Sequence, residues 1–149
     1  ALLLLLNAHG DYTEQIDKML SNLPSDSYRK VRFEPDVASV YKLFDVFIHV
    51  PIGDHYEAFG QIYIEALAAG IPSVFTLSGI APDFIRDGQN AMVVPYKDYE
   101  AIRHAVLSIL SDDSLRKRLV KKGRESVREK FDLDIMISNL EHLYEKAIH

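Results

Sequence analysis

Hydrophobic positions along this chain fall into two alternating patterns and then into a third. Short apolar runs, rich in Val, Ile, Leu and Phe, lie at Leu2–Leu6, Val31–Phe33, Asp45–Val50, Ser73–Thr76 and Ala91–Val94. They lack polar alternation, which predicts strands buried on both faces, as in a parallel sheet. Between them lie helical periodicities. Tyr12–Leu23 sets Ile16, Met19, Leu20 and Leu23 on one stripe, with Asp11 as N-cap and Pro24 as stop. Val37–Phe44 follows the cap Asp36, and its Val40, Leu43 and Phe44 are expected inside. After Pro95 strands cease: Asp98–Leu110, Asp113–Lys130 and Leu133–Ile148 read as consecutive helices, the last with Ile137, Leu140, Leu143 and Tyr144 at helical spacing. Strand–helix alternation with short connections predicts a doubly wound, parallel α/β fold carrying a helical tail from about residue 98. No repeat or long linker divides it, so residues 1–149 are expected to form one domain.

Composition narrows the class. The chain has 149 residues, 48% of them hydrophobic, enough for a sizeable core. Cysteine is absent, which excludes disulfides and thiolate metal sites. A net charge of −5 argues against a nucleic-acid partner. Charge is uneven, however: Arg116–Lys130 carries eight Lys+Arg against two Glu, +6, and the remainder carries −11. Such a run suits a peripheral contact with anionic lipid head groups, but a solvated helix face is the commoner explanation. The first apolar run is too short to span a bilayer. Because the chain opens inside an expected buried strand, it reads as a fragment of a longer protein.

The chemistry concentrates between Pro51 and Pro72. A helix is expected from about Phe59 or Gly60 to Gly70, whose missing Cβ suits a C-cap. Its N-terminus then lies at the carboxyl end of a parallel strand, where open α/β sheets bind ligands and free amides favour a phosphate. Glu57 precedes this helix and Glu65 lies about five residues into it, some 7–8 Å along the axis at 1.5 Å per residue. That separation suits a ligand with a central diphosphate and hydroxyl-bearing groups at both ends. Glu65 stands one turn beyond Gln61 in an otherwise apolar helix, so its charge needs a partner, which ribose hydroxyls would supply. The bland alternative is two solvated carboxylates. His49 reads as a strand-end histidine and His55 as a loop residue near Glu57; no ligand pattern accompanies them, and no metal is expected.

Glu57-Ala-Phe-Gly60 followed by Glu65-Ala-Leu-Ala-Ala-Gly-Ile-Pro72 resembles the paired-glutamate motif of retaining glycosyltransferases of family 4, which have the GT-B architecture. Val31-Arg32-Phe33, Val40-Tyr41, Phe44 to Ile48, the Ser78-Gly79-Ile80 loop, Asp87 to Asn90 and Gly123-Arg124 follow in the order that the family shows. The resemblance implies the C-terminal, Rossmann-like half of a two-domain enzyme, binding a nucleotide-diphosphate sugar without metal or other cofactor. Carried over by position, Glu57 would be catalytic, touching the donor sugar hydroxyls near the reacting centre, and Glu65 would hold the ribose. Amides around Phe59, Gly60 and Gln61 would hold the diphosphate. Gly10 would let the donor come close, and Glu34 and Pro35 would lie near the base. His55, Ser78, Gly79 and Asp83 complete the expected donor site. Transfer to a saccharide or glycolipid acceptor, bound mainly by the other half, would retain configuration in the cytoplasm or at the inner membrane face.

Three departures qualify this. The family's Gly-Arg and Lys-Gly pairs, which neutralise the diphosphate, have no counterpart before Leu2, so the isolated chain is expected to be inactive. The strand that carries them is the central one of a 3-2-1-4-5-6 order. Asp83 stands where glutamate is commoner, as a donor contact or as a cap for the helix after Pro82, and Ala81 reads as an added residue. A nucleotide-sugar 2-epimerase and a non-catalytic nucleotide-sugar-binding module remain as other readings.

Overall fold

The computed structural model describes residues 1–148 and divides into two compact units, Ala1–Val40 and Tyr41 onward. In the first, β1 (Leu3–Leu6) pairs in parallel with β2 (Tyr28–Val31), across α1 (Thr13–Leu20). β2 thus starts three residues before the expected run. Its centre, Arg29 and Lys30, faces solvent, so only Tyr28 and Val31 are shielded and no continuous apolar run marks the strand. Phe33, expected within it, is 78% exposed. Asp11 does not cap α1; the side chain of Thr13 does the local work, accepting from the Gly10 amide and donating to the Gly10 carbonyl, both at 2.8 Å. α1 ends before Leu23, so Met19 and Leu23 lie in solvent and Leu20 alone of the stripe is fully buried. α2 (Val37–Tyr41) is also shorter than expected, ending before Leu43, which is exposed; its cap is Asp36, accepting from the Ser39 amide at 3.1 Å.

The second unit holds the parallel strands β3 (Phe47–His49), β4 (Ser73–Phe75) and β5 (Met92–Val93), with β4 in the middle. β4 is buried on both faces, as its uninterrupted apolar run predicts. Phe75 joins a core with Tyr41, Tyr63, Ala66 and Leu67, while Val74, pointing the opposite way, joins Ala105, Ile109, Leu115 and Leu119. The first core belongs to α3 (Gln61–Ala69) and α4 (Ala81–Phe84), the second to α5 (Tyr99–Ser111) and α6 (Asp113–Phe131). Asp98 and Asp112 cap α5 and α6 by accepting amide hydrogen bonds, and Gly70 closes α3 in the left-handed conformation. α7 (Leu133–Ile148) leaves Ile137, Leu140, Leu143 and Tyr144 more than 40% exposed. The strands form two ladders rather than one continuous sheet.

Candidate functional site

β3 ends at His49 and α3 begins at Gln61; the loop between them is strapped to the segment that follows β4. Thr76 donates its hydroxyl to the Pro51 carbonyl at 2.7 Å and its amide to the His49 carbonyl at 3.3 Å. The buried Ser78 hydroxyl accepts the Glu57 amide at 3.0 Å and donates to the Asp54 carbonyl at 2.9 Å. The amides of Gly79 and Ile80 donate to the carbonyls of Asp54 and Phe59. Gly79 has φ +57°, and a Cβ there would sit 2.7 Å from the Phe59 carbonyl oxygen, so only glycine lets the two segments meet. Gly60, the N-cap of α3, has φ +90°, and a Cβ on it would press on the Tyr63 ring at 2.7 Å. Its glycine is therefore needed by the turn itself, whatever binds beyond it.

Each glutamate has its own holder. Glu57 Oε1 lies 2.9 Å from His49 Nε2, with both side chains mostly shielded. Burial pulls the His49 pKa below 6.5 against the opposing pull of Glu57, which favours the neutral imidazole. The His49 ring meets the Tyr63 ring edge-on at 5.0 Å, and the Tyr63 hydroxyl donates to the Thr76 carbonyl at 2.9 Å. Burial, with Glu57 adding to it, pushes the Tyr63 phenol up to about 12. Glu65 accepts from Gln61 Nε2 at 3.0 Å on Oε1 and from the Tyr41 hydroxyl at 3.1 Å on Oε2. Burial first, then Glu65, raises the Tyr41 pKa. The partner that Glu65 requires is thus already supplied by the protein, with one lone-pair direction per oxygen left over.

The remaining expected residues do not all gather here. Glu57, Gly60, Gln61, Glu65, Ser78 and Gly79 do, although Ser78 and Gly79 act on the loop. Phe59 turns its ring edge to Phe131 at 6.5 Å. His55 is 93% exposed and approaches Asp54 at 3.5 Å rather than Glu57. Asp83 lies inside α4 and not at its cap; its carboxylate faces Lys130 at 4.0 Å. Gly10, Glu34 and Pro35 belong to the first unit, where Glu34 Oε1 accepts the Asp36 amide at 2.9 Å and Pro35 is exposed.

Two site residues escape the linear reading. His49 carried a signal, since it ends the strand that leads into the Glu57 loop, but a strand-end position does not by itself reveal a hydrogen bond to Glu57. Tyr41 belongs to the Val40-Tyr41 pair of the resemblance, but at 24 residues from Glu65 nothing local ties the two. Among the described residues no group of three or more His, Asp and Glu is arranged to hold a metal, and no helix is long and apolar enough to cross a membrane. A groove of about 750 Å³ runs along α6 at the Gly70 end of α3, away from Gly60. Five basic side chains and four carboxylates line it, so it offers no concentrated charge.

The profile of the family described as "Glycosyl transferases group 1" matches residues 8–126. A capsular polysaccharide biosynthesis glycosyltransferase, CapM of Staphylococcus aureus, is 31% identical over 114 residues, covering 76% of this chain and 29% of CapM. The lipopolysaccharide core biosynthesis glycosyltransferase LpsE of Rhizobium meliloti (strain 1021) is 30% identical over 123 residues, 82% of this chain and 35% of LpsE. This chain therefore spans about a third of the length of such relatives. Among solved structures, Anabaena Alr3699/HepE in complex with UDP-glucose superposes with a TM-score of 0.83 over 97% of this chain and 41% of HepE, at 15% identity. The C-terminal domain of the group 1 glycosyltransferase LpcC from Francisella tularensis gives 0.71 at 23% identity, over 83% of this chain and 64% of that one. These likenesses establish the fold: that of the C-terminal domain of GT-B glycosyltransferases.

Proposed function

Since this chain belongs to the group 1 glycosyl transferases, we propose that it supplies the donor-binding half of a retaining enzyme that moves a sugar from a nucleotide diphosphate to a saccharide or lipid-linked acceptor. The observation that carries this reading is a pair of carboxylates, each held by a hydrogen bond within the protein, on either side of a helix N-terminus. Glu57 precedes Gly60 and is held by His49; Glu65 follows it and is held by Tyr41 and Gln61. In this reading Glu57 accepts from the sugar hydroxyls and Glu65 from the ribose. The amides of Gln61 and Ile62, ahead of the Tyr63 amide that donates to the Gly60 carbonyl, take the diphosphate. The helix dipole then stabilises the charge on the leaving group, without a metal. The UDP-glucose bound by HepE supports the ligand class. The transfer would take place on the cytoplasmic side, with the exposed cations of α6 available to anionic head groups.

Thermal unfolding of the chain in UDP, GDP and their hexose conjugates tests the reading. A cognate donor at a hundred times its Kd should stabilise the wild type by about 2.7 kcal/mol. Glu65→Ala should lose most of that gain. If every donor stabilises Glu65→Ala as much as the wild type, the proposal is wrong.

A further inference from the structure

Glu57 sits in a loop, and a loop carboxylate is placed well only if something rigid fixes it. Its backbone is fixed by Ser78, which accepts its amide at 3.0 Å. Its side chain is fixed by His49, at the end of a strand paired with β4. A carboxylate only accepts, so Nε2 of the imidazole donates to Oε1, which leaves Oε2 for another partner. The imidazole is itself locked, edge-on against Tyr63, whose hydroxyl is anchored on the Thr76 carbonyl. A chain of ring contacts continues from Tyr63 through Phe75 and Phe47 to Tyr41, the holder of Glu65. The two carboxylate holders are thus seated on one aromatic core.

We propose that His49 is a positioning residue: its Nε2–H holds Glu57 Oε1 so that Oε2 faces the donor sugar, and it therefore governs affinity for the sugar moiety and not for the nucleotide. This rests on the donor-half reading. Two substitutions separate the functions of the ring. His49→Phe keeps an aromatic edge against Tyr63 and removes the donor; His49→Gln keeps an N–H at a similar reach and removes the ring. Calorimetric affinities of the chain are compared for a nucleotide diphosphate and for its sugar conjugate. His49→Phe should bind the nucleotide like the wild type and lose roughly tenfold on the conjugate, the scale of one charge-assisted hydrogen bond. His49→Gln should recover most of this loss. In the Glu57→Gln background, His49→Phe should cost little more, because both changes remove the same contact.

An undiminished conjugate affinity in His49→Phe overturns the proposal, as does equal weakening of nucleotide and conjugate, which marks a merely structural residue. Full additivity with Glu57→Gln overturns it too. A wild type that binds no conjugate at all overturns the donor-half reading, and this proposal falls with it. Should His49→Phe fail to fold, NMR titration of the His49 imidazole decides: Glu57→Gln must lower its pKa if the contact exists, and an unchanged pKa overturns the proposal.

Discussion

A phenol inside a core keeps its proton to higher pH than one in water, because the phenolate loses its hydration there. Tyr63 and Tyr41 are so placed among eight tyrosines, and each also faces a glutamate. Between pH 10 and about 12 the folded chain therefore holds the Tyr63 proton that the unfolded chain has released. Stability must fall as pH rises through that window. Absorbance at 295 nm should show two late-titrating tyrosines, and denaturant midpoints should decline above pH 10, less steeply in Tyr63→Phe. His49 works at the other end. Its folded pKa lies below 6.5, so the unfolded chain takes the proton first and stability falls on acidification below 6.5. His49→Phe should flatten that decline in urea midpoints measured between pH 7 and 5. At this scale both carboxylates and Gln61 are legible in the sequence, but not that His49 and Tyr41 hold those carboxylates. A hydrogen bond spanning 24 residues leaves no local pattern to read.

Two helix ends, the start of α2 and the close of α3, were legible, because a cap is a local bargain between one residue and nearby backbone groups. Asp36 and Gly70 do what their residue types predict, whereas Asp11 leaves α1 uncapped and Asp98, expected as the first residue of α5, is its cap. Asp98→Ala should cost about 1 kcal/mol in thermal stability through the lost bond to the Ala101 amide. Gly79→Ala should do more than strain its own positive φ. The new methyl would push the Phe59 carbonyl away and with it the Glu57 loop. The expected outcome is a loss of about 1–3 kcal/mol, together with weakened donor affinity. β2 lies ahead of the apolar run because Arg29 and Lys30 occupy its centre, and α1 and α2 are shorter than their periodicity, which says little about where a helix frays.

Across the whole molecule, burial is concentrated in the second unit. Of the fully buried apolar residues, Leu20 alone lies before Tyr41. Native-state hydrogen exchange should accordingly protect the β4 amides most, near the global unfolding free energy, and those of β1 and β2 much less. Phe75→Ala, which empties a site shared by β4 and the aromatic core, should cost about 3–5 kcal/mol and lower the protection of the β4 amides together. Equal protection of β1 and β4 would show that the first unit is stabilised by more than the burial seen within it.

The amino-acid order alone determined the α/β class, the strand–helix alternation, the caps at Asp36 and Gly70 and the paired glutamates around Gly60. Each of these depends on residues within a few positions of one another, where period and side-chain type act directly on the backbone. The tertiary structure alone decided which groups hold those glutamates, that Ser78 and Gly79 serve the loop, and that Asp83 turns to Lys130. These are meetings of distant segments, and which side chain reaches which partner is set by how β3, β4 and α3 pack.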